Sequence, residues 1–239
     1  LVHFLTNRCN ARCSFCFIDF DDPKTFKGEL TLDEIDLLTK NLGKSLLNIN
    51  LTGGEPFARK DIVEIAKLYI KNTTVQSIYI TTNGSLPERV ENFANEITKF
   101  EKDIELTFQI SIDDFPERHN EVRKIQDLFD SCIETYFKLK NHERNVNPVV
   151  SITVTHENCD DIESIFNHLV YKCKIDSLKC TIVRDEGVYK TPDEKRKKIF
   201  SAYNWLTNEI KKLTDNGTIR NYNTKSLQGR LHNRKDKIS

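Results

Sequence analysis

Cys9, Cys13 and Cys16 crowd into one short polar stretch, Thr6-Asn7-Arg8-Cys9-Asn10-Ala11-Arg12-Cys13-Ser14-Phe15-Cys16. Soft thiolates packed this closely ask for a soft metal centre, zinc or an iron-sulfur cluster, unless the spacing is coincidence. Structural zinc usually takes four protein ligands in two separated pairs, and no second Cys or His pair stands at the required spacing. Three thiolates suit a four-iron cluster with one iron left free of protein. The amino and carboxylate groups of a bound molecule can chelate that iron, so an incomplete ligand set serves chemistry better than structure. All three readings stay open on spacing alone.

A second stretch, Thr52-Gly53-Gly54-Glu55-Pro56, follows an apolar run. Its two glycines let backbone groups approach a ligand closely, and its carboxylate can receive an ammonium. A strand-ending turn with no ligand would read the same way. The other cysteines, Cys132, Cys159, Cys173 and Cys180, are scattered through helix and strand patterns. Seven thiols, an odd number, in a chain with an ordinary core do not make a disulfide framework, so reduced thiols and buried small hydrophobes are expected.

The elements that must position these residues alternate between β-branched runs and helical stretches. Strand patterns fall near residues 2–6, 46–51, 77–82, 106–112, 149–155 and 177–183. Helical patterns fall near 60–71, 122–140 and 160–171, and three more follow capping signals. Those signals are Thr31-Leu32-Asp33-Glu34, Ser85-Leu86-Pro87-Glu88 and Thr191-Pro192-Asp193-Glu194. The first of these helices carries Ile35, Leu38 and Leu42 on one face, and the last carries Ile199, Tyr203, Leu206, Ile210 and Leu213. The acidic stretch Asp19 to Asp22 reads as a solvated loop.

Six β/α units in series predict an α/β fold with a parallel sheet, two units short of a closed eightfold barrel, hence an open partial (β/α)6 TIM-like barrel. Binding residues of such sheets gather at the carboxyl ends of the strands, where both motifs lie. The expected domain is residues 1–218, with 219–239 a polar tail or linker. A chain that opens on Leu and contains no Met is expected to be a piece of a longer protein. The 36 basic residues balance the 36 acidic ones, which gives no overall field toward nucleic acid or an anionic membrane. With no apolar run long enough for a bilayer and no leader pattern, a cytoplasmic protein with a small or peptidic partner is expected.

Taken together, the two motifs resemble those of the radical S-adenosylmethionine (SAM) superfamily, over roughly residues 2–184. That family's signature is CxxxCxxC with an aromatic before the last cysteine, here Phe15. The resemblance implies that Cys9, Cys13 and Cys16 hold one [4Fe-4S] cluster, that the backbone of Phe15 lies near the adenine of SAM, and that Gly53, Gly54, Glu55 and Pro56 hold the methionine amino group. It also implies that Ser111 and Asp113 approach the ribose or methionyl part, and that Asn83, in Thr82-Asn83-Gly84, lies on the loop ending the third strand. His119-Asn120-Glu121-Val122-Arg123 is similar to the family's His-Asp-x-x-Arg segment, whose Arg can pair with the SAM carboxylate. Here Asn120 replaces the acid and Lys124 stands where Gly often follows; a surface helix charge is the plain alternative for Arg123. Asn158 has similar standing, with a helix cap as its alternative.

The activity implied is reductive cleavage of SAM to a 5'-deoxyadenosyl radical that abstracts a substrate hydrogen, with a reductant such as flavodoxin or ferredoxin. The pattern is most similar to the SPASM-type branch, which modifies peptides or builds natural products, although nothing after Cys180 can ligate that branch's auxiliary clusters. Alternatives are an enzyme acting on a small sugar, nucleoside or lipid precursor, and a non-catalytic iron-sulfur electron carrier.

Overall fold

A computed structural model of the chain describes residues 1–183 and 193–220. Six strands, β1 (Val2–Thr6), β2 (Asn48–Gly53), β3 (Ser77–Thr82), β4 (Glu105–Ser111), β5 (Val146–Val154) and β6 (Leu178–Ile182), form one sheet in sequential order. Every neighbouring pair is parallel. Helices α1 (Leu32–Leu42), α2 (Ile62–Asn72), α3 (Pro87–Phe100), α4 (Pro116–Arg123), α5 (Leu128–Lys140), α6 (Ile162–Asn167) and α7 (Asp193–Asp215) connect or follow the strands. The expected open α/β sheet is therefore present, with β1 and β6 as its two edges.

The strands alternate apolar and polar residues, and the two faces do different things. Outward residues such as Ile49, Leu51, Ile78, Ile80, Leu106, Phe108 and Ile110 are buried in one core with the helices. The inward positions between them are Asn50, Tyr79, Thr107, Gln109, Ser111, Ser151 and Lys179, which lie in matching register across the strands. Closed eightfold barrels fill this space with branched apolar side chains. Here the wall is mainly polar, with Val149 and, on β1, Val2 and Phe4 as its apolar members.

Local signals account for most element ends. Thr31 and Glu34 form the expected reciprocal cap of α1. On α7, Ile199, Leu206, Ile210 and Leu213 are buried as the pattern predicted; the capping residues Thr191 and Pro192 lie outside the described residues.

Three expectations are corrected. The helix expected over 122–140 is two helices, because Lys124 and Asp127 both adopt the left-handed conformation and turn the chain between them. Asn120 fills that corner by accepting from the Phe129 amide at 2.8 Å. The strand expected to begin at residue 46 begins at Asn48, after a short turn at Gly43–Ser45. Ser85 does not cap α3: Pro87 makes Leu86 the cap, and the Ser85 hydroxyl instead accepts from Asn10 at 2.8 Å. At the far end, Ile219 is buried and Arg220 bridges to Ser177; residues 221–239 of the expected tail lie outside the described residues. No helix among the described residues is long and apolar enough to cross a membrane.

Candidate functional site

The cysteine loop leaves the carboxyl end of β1 and lies over the ends of the next four strands. After β2, the Gly54 amide donates to the Thr6 carbonyl at 2.7 Å and the Glu55 amide to the Arg8 carbonyl at 2.8 Å. This contact is what requires the glycines. A Cβ on Gly53 would sit 2.2 Å from the Thr6 carbonyl oxygen, and one on Gly54 would sit 2.3 Å from that of Arg8. Gly53 also holds φ at 136°, which side chains avoid. The two loops approach each other closely here, and the pair fixes where the cysteines start.

Glu55 is fully buried. It accepts from the Phe57 amide at 3.0 Å, the Thr82 hydroxyl at 2.9 Å and the Asn83 amide at 2.7 Å. Burial pushes its pKa upward, while these donors and Arg123 pull the other way. A carboxylate has about four acceptor sites, so three protein donors leave little room for a ligand ammonium. Its charge sits under the loop, held by the turn that Pro56 opens. Asn83 continues the chain of contacts: its side-chain amide donates to Asn10 at 2.8 Å and points at the Cys9 sulfur 3.8 Å away.

From β4 onward the ties are made by charge. Asp113 and Arg123, both buried, form an ion pair with Nη2 2.5 Å and Nε 3.2 Å from Oδ2, and Oδ1 of Asp113 accepts from the Thr153 amide at 2.7 Å. Burial, the largest single influence, would loosen the proton of Arg123; the charge and hydrogen bonds of Asp113, together with the Cys13 and Cys132 sulfurs, outweigh it and hold the proton more tightly. Arg123 is no surface charge. Its carbonyl accepts from the Arg12 amide at 3.0 Å, and its guanidinium lies 5.9 Å from the Phe15 ring centroid. His119 is buried beside the pair, its pKa pushed down to about 3 by burial and then by Arg123. The Ser14 hydroxyl reaches the Glu157 carboxylate at 2.9 Å, beyond β5.

Asn158 does not cap α6. Asp161 caps α6, and the Asn158 amide group donates to the Asp113 and Thr153 carbonyls while accepting from the Thr155 amide. Ser111 lies in the polar inner wall, register partner of Ser151.

Burial is the largest cause that raises the Cys9 thiol and takes Cys13 up to about 11; nearby sulfurs of the trio add repulsion. A cationic centre reverses that balance and holds the sulfurs as thiolates. Among the described residues no three His, Cys, Asp or Glu side chains gather around a point suited to one metal ion. A four-iron cluster places each thiolate on a different iron, so it needs three soft donors side by side on one loop, which is what Cys9, Cys13 and Cys16 supply. The remaining cysteines do other work. Cys132 is buried under the Asn83 carbonyl at 3.1 Å, its thiol raised to about 12 by burial, and Cys180 faces Thr207 of α7.

Sequence reasoning missed Thr82, Asn10 and Cys132 as supports of the site, and the polar inner wall altogether. The signal was present in the strict alternation of Asn48-Ile49-Asn50-Leu51-Thr52, Ser77-Ile78-Tyr79-Ile80-Thr81 and Glu105-Leu106-Thr107-Phe108-Gln109-Ile110-Ser111. Parallel strands buried on both faces are near-continuously apolar, so polar alternation marks a lumen that is not plain core.

Known structures share this fold. The chain matches anSMEcpe with bound AdoMet at TM-score 0.69 and 18% identity, covering 91% of this chain and 61% of that one. It matches Streptococcus suis SuiB bound to precursor peptide SuiA at TM-score 0.61 and 15% identity, covering 87% and 46%, respectively. It matches methylornithine synthase (PylB) at TM-score 0.57 and 16% identity, covering 84% and 61%. The chain thus spans about three fifths of the first and third of these proteins and under half of the second. The family model described as "Radical SAM superfamily" matches residues 4–169, most of the chain and every residue of the site above. The chain therefore belongs to the radical SAM superfamily, whose cofactors are a [4Fe-4S] cluster and S-adenosylmethionine.

Proposed function

We propose that this chain carries out reductive cleavage of SAM for hydrogen abstraction, in the modification of a peptide or peptide-derived natural product. The observation that carries the reading is the clasp between the two motifs, in which Gly54 and Glu55 are hydrogen-bonded to the base of the cysteine loop. Cys9, Cys13 and Cys16 would hold the cluster through their thiolates, leaving it a site open to SAM. When bound, cluster and SAM supply a one-electron cleavage that yields a 5'-deoxyadenosyl radical.

The chain's own residues position and shield. Glu55 places a buried negative charge beneath the loop, on the side where the ammonium of SAM is held by the backbone of Gly53 and Gly54. Arg123, already paired with Asp113, fixes the far side of the loop through Arg12 and Phe15. Asn83 and Ser111 border the space where the nucleoside lies. Covering the strand ends with one loop keeps water from the reacting atoms. The electron comes from a donor such as flavodoxin or ferredoxin.

A peptide substrate is supported by structures of similar fold described with a Cp18Cys peptide and with precursor peptide SuiA. A small-molecule reading is favoured by the likeness to methylornithine synthase. Anaerobic reconstitution followed by dithionite reduction in the presence of SAM tests the core of the reading: 5'-deoxyadenosine should form. A rise in its yield with a candidate precursor peptide, and none with small metabolites, supports the peptide substrate. If the reconstituted protein forms no 5'-deoxyadenosine, the reading is lost.

A further inference from the structure

Lys179 sits on the inner face of β6 as the register partner of Ser151, which is the partner of Ser111 on β4. Its Nζ crosses the concave side of the sheet and donates to the Tyr79 hydroxyl on β3 at 2.8 Å. The ammonium lies 5.2 Å from that ring's centroid. Tyr79 in turn donates to Gln109 Oε1 on β4 at 2.6 Å. The donors therefore run in one direction, from Lys179 to Tyr79 to Gln109. With Oε1 turned to Tyr79, Gln109 has its two N–H donors to offer the lumen.

Two further observations set this chain of donors apart from ordinary packing. Burial lowers the pKa of Lys179, and among the described residues no carboxylate offsets it; the other group acting on it is the Cys180 thiol. A half-buried ammonium without a counter-ion is costly, and a ligand charge is one way to meet that cost. Among the described residues the Ser151 hydroxyl, on a residue 1% exposed, has no hydrogen-bond partner. Nor does Oδ1 of Asn50, which is the register partner of Tyr79. Buried hydroxyls are rarely left so, which marks the place as one built for a further group.

We propose that Lys179, Gln109 and Ser151 form an anion subsite on the inner wall of the sheet, which anchors a carboxylate or phosphate group of the substrate, with Tyr79 orienting Lys179 and Gln109. The Lys179 ammonium supplies the charge, and the Gln109 amide and Ser151 hydroxyl supply neutral donors to the remaining oxygens. Asn50 stands by as an acceptor for an N–H or O–H next to the anionic group. The proposal deepens the proposed function and rests on it, with the substrate of that reaction entering the space enclosed by the polar inner wall.

The test is trace acetylation of the reconstituted, SAM-loaded full chain, with mass spectrometry reading Lys179 against the exposed Lys44. Sodium succinate and inorganic phosphate are the probes at constant ionic strength, and succinamide is the neutral control. Succinate or phosphate should slow acetylation of Lys179 saturably and leave Lys44 unchanged. Protection by succinate alone identifies a carboxylate site, and protection by phosphate alone a phosphate site. Ser151→Ala removes a hydroxyl with no partner among the described residues, and it should raise the protection midpoint about tenfold, as should Gln109→Leu. Absence of protection by either anion, equal protection by succinamide, or unmoved midpoints in both variants would overturn the subsite. Formation of 5'-deoxyadenosine by the same preparation is scored separately, so loss of the subsite leaves the radical SAM reading standing.

Discussion

On the β2 and β3 side the cysteine loop rests mainly on backbone, through the Gly54–Thr6 and Glu55–Arg8 hydrogen bonds and the Asn83–Asn10 amide pair. On the β4 and β5 side it rests on charge, through the buried Asp113–Arg123 pair with Arg12 and Phe15 above it. The two supports leave different traces in a sequence. A Cβ at either position would fall 2.2–2.3 Å from a carbonyl oxygen of the cysteine loop, so the first support can be written only with glycine and stands out as Gly53-Gly54. An ion pair can be built from any two positions that fold together, so the second is just one Asp and one Arg among many.

The largest effect expected belongs to what both supports hold. Replacing Cys9, Cys13 or Cys16 with Ala should abolish the iron-sulfur chromophore, whereas Ser in place of Cys132, Cys159, Cys173 or Cys180 should leave iron near four per chain after anaerobic reconstitution. Loss of the brown colour in a Cys173 or Cys180 variant would mean the ligand set is drawn wrongly.

Next comes the charged support. Arg123→Met leaves Asp113 buried with an unpaired charge and should cost about 3–5 kcal/mol of stability. Adding Asp113→Asn should recover part of that loss. Lys138, which reaches Glu88 and Glu91 at the surface, is the control, and Lys138→Met should cost far less than Arg123→Met. Denaturant unfolding of the three variants decides the matter; equal losses for Arg123→Met and Lys138→Met would reduce the buried pair to an ordinary surface contact.

The backbone support is probed at Glu55. Glu55→Gln keeps the shape but turns an N–H₂ toward protein donors, at a cost of about 1.5–3 kcal/mol. The cluster should remain, and calorimetry should show weaker SAM binding, because the buried negative charge beneath the ammonium is gone. An unchanged SAM affinity would confine Glu55 to holding the turn.

Much of the fold is legible in the residues alone: the six strands, the reciprocal cap at Thr31 and the buried face of α7 follow from period and capping chemistry. The α4–α5 corner is not, because its left-handed residues are Lys124 and Asp127 and neither is glycine. The cysteine and glycine motifs are visible because metal ligation and close backbone contact restrict residue type. The fully engaged state of Glu55, the burial of Arg123 and the stapling by Asn158 are not, since each depends on partners tens of residues away or on a turn that sequence does not reveal. The polar inner wall is written plainly in the strand alternation, but alternation is more familiar from half-exposed antiparallel sheets, where it marks the solvent face.

The smallest effect separates the two supports by pH. His119 packs against the charged one, its Nδ1 3.3 Å from the Asp113 amide, with its pKa depressed from 6.5 to about 3 by burial first and Arg123 second. The unfolded chain takes up a proton at this histidine as pH falls below 6.5, while the folded chain refuses it until about 3. The unfolded state thus binds more protons across that window, so stability is complete above it and declines as pH falls through it, by up to about 1.4 kcal/mol per unit. Between pH 7 and 5.5 this amounts to about 1 kcal/mol. Gln at position 119 can still accept from the Asp113 amide but cannot titrate, so His119→Gln should lose about 1 kcal/mol less than the parent chain over the same interval. Urea unfolding of both proteins at the two pH values measures the difference directly, and any titration of the cysteines or surface carboxylates cancels between them. Equal losses would place the acid sensitivity outside the Asp113–Arg123 support.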